Sequence, residues 1–446
     1  MIAKIDKTPQ LNMYQVPLKQ FIRENHELVI LSRKINWDYL DNELSKHYCP
    51  DNGRPGIPIR KISGILMLKR MFNESDESVL LRWVENPYWQ YFCGEVNFQH
   101  KLPFDRTELI KFRQRIGEEG AEKILKASID LYSSKEVKEK EVLIDTTVQE
   151  KNITYPTDTK LHKKIIERCR KIATEEGITL RQSYQRVLKQ LMIEQRFRSH
   201  PKRRKKANAA ARKIKTIAGR MTRELERGMD LEQKEKYEEL LLIFNQILSQ
   251  ERDSKDKIYS IHEPHVKCIA KGKEAKKYEY GNKVSIAKTR KSGIIVGALS
   301  FLENVYDGAT LESQLNQIER VTGGHEPKTG IVDRGYRGKR WVNNTQIVIP
   351  GKLPASATNY RKQKIRKQFR ARAGIEPVIG HLKHDHRMLR NYLAGNLGDA
   401  VNVLLAAAGF NMRKMLLRIR KELKNILSQI INSIFPVRKY CYVFSC

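Results

Sequence analysis

Three acidic residues stand where a carboxylate needs a partner charge. Asp145 lies inside the β-branched run 142–148, which is typical of a buried strand. Asp333 follows the short apolar run 330–332, and Glu376 lies in a basic segment. A buried aspartate is costly unless a metal ion or a basic side chain neutralises it. These carboxylates could hold Mg²⁺, which prefers oxygen ligands, and two such ions can catalyse phosphodiester displacement.

Basic residues share a helical face with Glu376. At 100° per residue, Arg372, Glu376 and Lys383 fall within about 40° of one another, so the cations could bind phosphate beside the metal ions. The alternative is an ordinary surface ion pair with i, i+4 spacing. Pro377 requires the helix to kink or to begin there, which weakens the face argument. Spacing alone supports both interpretations equally.

The elements that must position these carboxylates alternate between strand and helix. The pattern predicts a strand, a long helical insert, a hairpin, a helix, two more strands and a basic helix, which is a mixed α/β layer fold. The first and fourth strands each carry an aspartate. In chain order the predicted elements are 142–148, 161–257, 278–287 with 293–301, 311–321, 330–333, 346–349 and the helix through 372–383.

Residues ahead of the first strand have helical spacing. Apolar clusters in 58–100 predict a compact helical region. Asp105 and Glu108 resemble a capping box before a second helix, and Gly117 is a plausible end for it. The basic face of this helix could contact DNA, but for one helix taken alone an ordinary solvated face is the favoured interpretation.

The charge balance points to a polyanionic partner. There are 85 Lys and Arg residues against 51 Asp and Glu, a formal net charge of +34. Residues 196–227 alone hold 13 basic and 2 acidic residues. We favour DNA contact over a solvated loop for the exposed-looking cluster Lys202, Arg203, Arg204, Lys205 and Lys206.

Cysteine spacing and hydropathy indicate the compartment. The six cysteines form no CxxC pair, which fits neither a disulfide framework nor a zinc ribbon. The longest weakly polar run, 401–410, is about half the roughly 20 residues that a bilayer span requires. We therefore expect a cytoplasmic protein with reduced thiols and no membrane partner.

Five sequence motifs resemble the DDE transposases of bacterial insertion sequences, specifically the insertion-sequence-five family. They are LIDTTVQEKN at 143–152, YEYGNKVSIA at 278–287, YDGATL at 306–311, VDRGYRG at 332–338 and RAGIEPVIGHLKHDHRM at 372–388. The family's last motif spaces Tyr, Arg, Glu and Lys as Phe369, Arg372, Glu376 and Lys383 are spaced here. Phe369 loses the tyrosine hydroxyl, and Ala309 stands where relatives often have His.

The resemblance implies a ribonuclease-H-like catalytic core interrupted by a helical insertion and preceded by an all-α region. Asp145, Asp333 and Glu376 would bind two divalent ions, Mg²⁺ with Mn²⁺ able to substitute. The implied activity is cleavage at transposon ends followed by strand transfer into target DNA. Arg372, Lys383 and Arg337 would contact double-stranded DNA, namely the terminal inverted repeats and the target.

The resemblance and the composition together predict five regions. They are a helical DNA-binding or assembly domain at 1–135, the first part of the core at 139–160, the basic insertion at 161–257, the remainder of the core at 258–416 and a helical tail at 417–446. Synapsis of two ends implies a homodimer or a higher oligomer, acting at the prokaryotic nucleoid.

Two rival functions and two lesser motifs remain. The chain could be a catalytically inactive, transposase-derived DNA-binding protein, or a metal-dependent nuclease without strand transfer.

His262, Glu263 and His265 suggest zinc only weakly, because the helical spacing of a metalloprotease motif is absent. Asp307 lies in a Tyr-Asp-Gly turn, where a structural capping role is favoured over catalysis.

Overall fold

The structure is a computed structural model that describes residues 16–52, 55–251, 253–270, 277–349 and 356–434, with only the backbone considered at 431–434. The first 15 residues of the predicted N-terminal domain and the last 12 of the predicted tail lie outside the described residues. So does the Pro350 and Gly351 end predicted for the strand at 346–349.

One mixed sheet lies at the centre of the described chain. Its central order is β4-β3-β1-β5-β7, with β3 antiparallel to both β1 and β4, and with β5 and β7 parallel to β1. Short strands β2, β8 and β6 extend it. The strands are β1 Glu141–Lys151, β2 Lys267–Ala270, β3 Tyr278–Thr289, β4 Ile295–Phe301, β5 Thr329–Ile331, β6 Trp341–Val342, β7 Thr345–Val348 and β8 Arg390–Asn391. The fold is thus mixed α/β, as predicted.

β1 lies centrally because both of its edges are paired and its apolar side chains are buried. Val142, Leu143, Ile144 and Val148 are all fully or almost fully buried. The predicted hairpin is confirmed, since β3 and β4 pair antiparallel from Lys283 with Phe301 onwards. Strands with paired edges and buried faces are expected to be rich in β-branched residues, as this one is.

The helices before β1 share a hydrophobic core with the sheet. A single buried cluster joins Leu66 and Phe112 to Ile144, Ile286 and Leu404. Asp105 caps the longest of these helices by accepting a hydrogen bond from Thr107 N, and Gly117 leaves helical geometry at φ 62° before the helix continues. The helices are α1 Glu27–Lys34, α2 Trp37–Ser45, α3 Ile59–Met71, α4 Asp76–Glu85, α5 Pro87–Phe92, α6 Arg106–Ile129 and α7 Ser134–Val137.

Between β1 and β2 the chain forms helices with a hydrophobic cluster of their own. That cluster includes Ile165, Ile214, Met221 and Phe244, and it does not merge with the cluster of the sheet. The strongly basic α10 turns its apolar residues into this cluster and its cations outward. The helices are α8 Asp158–Glu175, α9 Gln185–Gln195, α10 Arg204–Gly228 and α11 Leu231–Ser249.

The C-terminal helices cover the sheet. α15 packs against α6, α3 and β4, and it passes position 416 without a break. The helices are α12 Leu311–Val321, α13 Asn359–Arg372, α14 Glu376–Asp385 and α15 Gly395–Ile434. By length and apolarity α15 could cross a membrane, but 78% of its most apolar window is buried inside the protein. Burial of this kind is typical of a core helix.

Candidate active site

Asp145 lies near the middle of β1 with its carboxylate mostly withdrawn from water. Its side chain is 14% exposed, and Oδ2 lies 3.8 Å from Nη2 of Arg372. Oδ1 accepts a hydrogen bond of 2.9 Å from Thr146 N. Burial raises the pKa of Asp145 to about 6; Arg372 opposes this rise, and the carboxylates of Asp333 and Asp307 add to it. Withdrawal from water is thus the main reason why Asp145 holds a proton more tightly than a free aspartate does.

The sheet register brings Asp333 beside Asp145. β1 and β5 are parallel, with Leu143 opposite Ile331. Asp145 comes two residues after Leu143, and Asp333 comes two residues after Ile331. The two aspartates therefore lie at the same level of two neighbouring segments of the sheet. Oδ1 of Asp333 accepts a hydrogen bond of 2.6 Å from Gly335 N, which fixes the carboxylate at the start of a 3₁₀ turn.

Glu376 is connected to Asp145 through Arg372, which contacts both carboxylates. It is the first residue of α14, 62% exposed, with Oε1 3.0 Å from Nη2 of Arg372. The helix begins at this point because Pro377 lacks the N–H that a continuous helix needs. Arg372 thus lies between Glu376 and Asp145. Across the described ranges, no three His, Cys, Asp or Glu side chains lie close enough to hold a metal ion.

Asp307, for which the sequence predicts a turn role, lies with Asp145, Asp333 and Glu376. These four residues are called the carboxylate group. Oδ1 of Asp307 accepts hydrogen bonds of 2.9 Å from both Thr146 Oγ1 and Lys283 Nζ. A Cβ placed on Gly335 would meet Oδ2 of Asp307 and Oδ1 of Asp333 at 2.9 Å each, so these oxygens are at most twice that distance apart. No local sequence pattern signals this contact, because Thr146 and Lys283 lie far from Asp307 along the chain.

Tyr336 projects a hydroxyl into the same group. Its side chain is 1% exposed, and the hydroxyl has no hydrogen-bond partner within the described residues. Burial raises its pKa well above the usual value, and the carboxylates of Asp145 and Asp307 contribute to the rise. An orphaned buried hydroxyl beside several carboxylates indicates a polar space that a further group can fill.

The cations predicted to bind DNA lie in two places. Arg337 and Lys383 lie near carboxylates along the chain: Arg337 is four residues after Asp333, with its carbonyl accepting from the hydroxyl of Tyr306, and Lys383 is two turns along α14 from Glu376. The other cluster is exposed at the start of α10, where Arg203 lies 4.6 Å from the ring centre of Phe197. It comprises Lys202, Arg203, Arg204, Lys205 and Lys206.

Glu263 and His265 take part in a buried ionic network. Asp399 accepts from Lys151 Nζ at 2.8 Å and lies 2.9 Å from His265 Nε2, while Glu263 lies 3.3 Å from Lys151 Nζ. Each potential zinc ligand that the network contains is thus engaged with a protein partner. The network joins the segment after α11 to the end of β1 and the start of α15.

The carboxylate group fits divalent metal ions by its donor chemistry. Four carboxylates, from Asp145, Asp307, Asp333 and Glu376, are accompanied by the cations of Arg372 and Lys283. Carboxylate oxygens are the hard ligands that Mg²⁺ and Mn²⁺ prefer. The four carboxylates, the raised pKa of Asp145 and the orphaned Tyr336 hydroxyl all favour a cation at this place.

Comparison with known proteins identifies the family of the chain. Residues 16–115 match the family model described as transposase domain (DUF772), and residues 253–412 match the one described as transposase DDE domain. An uncharacterized protein, ORF8 in the nfe locus of Rhizobium meliloti, is 38% identical over 193 residues, which is 42% of this chain and 93% of that protein. No solved structure matches significantly. With both family matches describing transposase domains, the chain belongs to the DDE transposases.

Proposed function

We propose that this transposase cleaves DNA at transposon ends and transfers the freed strand into target DNA. The observation that carries the proposal is the pairing of Asp145 and Asp333 at one level of the parallel strands β1 and β5, with Arg372 and Glu376 alongside. This arrangement supplies carboxylates for metal ions and a cation for the scissile phosphate. The sheet order and the inserted helices support a ribonuclease-H-like core.

Asp145, Asp333 and Glu376 would hold two divalent ions, with Mg²⁺ proposed and Mn²⁺ expected to substitute. When bound, such ions supply an activated water or 3′-hydroxyl and neutralise the leaving oxygen. Asp145 is kept in place by Thr146 N, and Asp333 by Gly335 N. Those backbone bonds fix the orientation of both carboxylates before substrate arrives, which is the preorganisation that catalysis needs.

Arg372 has a second task in this proposal. Its guanidinium now contacts both Asp145 and Glu376. A planar guanidinium also binds phosphate in a bidentate manner. We infer that Arg372 turns to the scissile phosphate when DNA and metal ions enter, which releases Glu376, the most exposed of the three carboxylates, to join the other two.

Asp307 is proposed as a positioning residue of the same site. It receives hydrogen bonds from Thr146, which adjoins Asp145, and from Lys283 on β3. These contacts tie the loop after β4 to the two central strands. The negative charge of Asp307 keeps the Lys283 ammonium away from Asp145 and Asp333, so those carboxylates remain available to metal.

Double-stranded DNA is the proposed partner, in the form of the terminal repeats and the target. Arg337 and Lys383 would contact the strand near the carboxylates, and the 202–206 cluster would contact it from the insertion. Regions 1–135 and 161–257 are proposed to recognise ends or to mediate assembly. Two ends must be brought together, so at least a homodimer acting at the nucleoid is proposed.

One observation favours a second candidate, the inactive DNA-binding relative. The three predicted carboxylates are not gathered within the described chain, and Arg372 occupies the space between two of them. If Arg372 never yields this place, metal ions cannot assemble with Glu376, while the basic surface can still bind DNA. A nuclease without strand transfer would need the same carboxylates as the transposase.

Mg²⁺-dependent nicking of a duplex carrying the DNA that flanks this gene tests the proposal. Wild-type protein should cut only the true end and leave a 3′-hydroxyl, and should join that end to a second duplex. Asp333→Asn should bind the duplex equally well and not cut it. A scrambled-end duplex is the control. Tight binding with no cutting under Mg²⁺ or Mn²⁺ supports the inactive relative, and cutting without joining supports the nuclease.

A further inference from the structure

A cavity of about 710 Å³ separates the N-terminal helices from the segment that leads into α15. Its floor is formed by Lys69 and Arg70 of α3 and by Arg113 of α6. Arg387 and Arg390 approach from the opposite side, on the turn and strand after α14. This cavity lies apart from the carboxylate group. Arg390 pairs with Glu150 in the sheet, and Glu150 is five residues from Asp145, about 17 Å along the strand.

The cations of this cavity outnumber its carboxylates. Asp76 contacts two of them, with Lys69 Nζ at 2.6 Å and a bidentate bond of 2.8 Å to Arg113. Asp76 is the one acidic residue among the cavity's described lining. Five cationic side chains thus face one carboxylate, and three of the five are almost fully buried.

Arg70 shows this imbalance most clearly. Its side chain is 2% exposed, and its hydrogen bonds go to neutral acceptors, the His386 carbonyl at 3.2 Å and Asn402 Oδ1 at 2.7 Å. Its Nε has no partner in the described part of the chain. A buried guanidinium that is hydrogen-bonded to no carboxylate is costly, and the nearby charge of Asp76 offsets this cost only in part. Burial lowers the pKa of the neighbouring Lys69 to about 7, and the nearby charge of Arg70 contributes.

Arg387 is held in a backbone conformation that an arginine rarely adopts. Its φ is +61°, just beyond the end of α14, where the left-handed region normally favours glycine. At this helix end Met388 N donates to the Leu382 carbonyl and Leu389 N to the Lys383 carbonyl. A glycine would meet this geometry without strain, whereas Arg387 carries a backbone cost there, and such outliers cluster at functional sites. Its Nη1 donates to a neutral acceptor, the Asn73 carbonyl.

The rim of the cavity is apolar and open. Ile110, Tyr392 and Leu397 line it, and all three are substantially exposed. A cationic floor with an aromatic and aliphatic rim matches a nucleotide unit, whose phosphate carries the charge and whose sugar and base offer apolar surface. A small inorganic anion would leave the rim unused.

We propose that this cavity binds a backbone phosphate of the DNA substrate, with Arg70, Arg387 and Arg390 as its ligands and Tyr392 beside the adjoining sugar and base. The proposal rests on the proposed function in one respect, that DNA is the substrate. It assigns to the seam between the two matched family regions a DNA contact separate from the carboxylate group and from the 202–206 cluster.

The test compares full-length wild-type protein with Arg387→Gly, Arg390→Gln and the double variant. The probe is a fluorescein-labelled duplex of the flanking DNA, with single methylphosphonates placed at one backbone position after another. Lys421→Gln with Lys424→Gln, on the exposed face of α15, is the control for charge. Arg387→Gly should stay folded, because glycine adopts a positive φ freely; circular dichroism and thermal unfolding check this. If it does not, Arg390→Gln carries the test.

We expect the double variant to bind the duplex about tenfold more weakly at about 100 mM salt, with a log–log salt slope smaller by about one or two. One methylphosphonate should weaken wild-type binding and have no further effect on the double variant, while the control resembles wild type. Unchanged binding of the double variant, in a protein that still binds and cuts DNA, overturns this inference alone. No DNA binding by wild type overturns the proposed function with it.

A last measurement uses inorganic phosphate as the probe and compares the unfolding temperatures of wild type and the double variant. If phosphate raises the unfolding temperature of wild type and not of the double variant, while the two bind DNA equally, the cavity is a site for free anions and the DNA assignment is wrong. A loss of both effects in the double variant is the expected outcome, since the same guanidinium groups would bind either phosphate.

Discussion

Asp145 occupies a position that lowers the stability of the folded protein. Its pKa rises from 3.8 to about 6, so the folded state binds the proton more tightly than the unfolded state does. The carboxyl therefore destabilises the fold fully above pH 6, progressively less as the pH falls, and not at all below about pH 4. Functional residues often carry such a cost.

We expect Asp145→Asn to raise the free energy of unfolding at pH 7.5 by up to about 3 kcal/mol, because the amide is uncharged in both states. The gain should vanish at pH 4, and DNA cleavage should be lost at any pH. Urea denaturation with a chelator present measures the stability, and exposed Asp130→Asn is the control. An equal loss of stability at both pH values would assign Asp145 a packing role.

Asp307 provides a second test at this scale. We expect Asp307→Asn to reduce cleavage by about tenfold to a hundredfold, because the uncharged amide no longer keeps the Lys283 ammonium away from Asp145 and Asp333. Thermal unfolding should change little, since the amide oxygen still accepts from Thr146. Glu312→Gln is the matched control, because Glu312 is exposed and lies 3.8 Å from Lys339. Cleavage equal to that of the control would return Asp307 to its turn role.

The sequence identified the aspartates of β1 and of the turn after β5, but it did not identify the side chains that surround them. The strand pattern around Asp145 and the apolar run before Asp333 are local signals, and both are visible in the printed sequence. The partners Thr146, Lys283 and Asp307 meet only when β1, β3 and the loop after β4 fold together. Contacts of this kind have no local signature.

Among the elements, the insertion α8–α11 carries the most exposed positive charge and a hydrophobic cluster of its own. If residues 202–206 contact DNA, their charge should affect affinity and not chemistry. We expect Lys202→Gln, Arg203→Gln and Lys205→Gln together to reduce the salt slope of DNA binding by about three, while single-turnover cleavage at saturating protein stays unchanged.

Three lysines elsewhere in the insertion, Lys171, Lys189 and Lys234, are exposed and provide a matched triple variant. That control should retain most of the salt slope. If both triple variants weaken binding equally, the insertion contributes through its total charge, and the 202–206 cluster has no particular role.

Long elements followed from the sequence, and short ones did not. The helix predicted at 311–321 and the hairpin strands were found at nearly the predicted positions, because their periodicity extends over many residues. β6 and β8 have two residues each, too few for any pattern. At Pro377 the sequence allowed either a kink or a new helix. The structure has a new helix, which turns Arg372 toward both Asp145 and Glu376.

At the scale of the whole molecule, the N-terminal helices and the sheet stabilise each other. Phe112 of α6 and Leu404 of α15 belong to the same buried cluster as Ile144 of β1. We expect residues 136–446 expressed alone to aggregate or to bind a hydrophobic dye, because the chain would expose that cluster. Replacing residues 158–257 with a short Gly-Ser linker should instead leave a cooperatively unfolding protein. A well-folded 136–446 fragment would contradict the shared core.

Protonation of His386 destabilises the contact between the N-terminal helices and the segment after α14. His386 is buried, its Nδ1 lies 2.9 Å from the Arg70 carbonyl, and burial lowers its pKa to about 4. Between pH 6.5 and pH 4 the unfolded chain takes up a proton that the folded chain refuses, so stability falls with falling pH. We expect His386 to contribute a loss of about 3 kcal/mol over this range, measured by urea denaturation as the difference in pH dependence between wild type and His386→Gln, because the opposite contribution of Asp145 is common to both proteins.

The two ends of the insertion meet at one tyrosine. The ring centre of Tyr280 lies 5.6 Å from that of Tyr155, just before α8, and 5.2 Å from that of Tyr259, after α11. Because entry and exit are neighbours on the surface of β3, a change in the length of this segment leaves the spacing of the two strand ends that it joins unaltered. The N-terminal helices have no such freedom, because they share the hydrophobic cluster of the sheet.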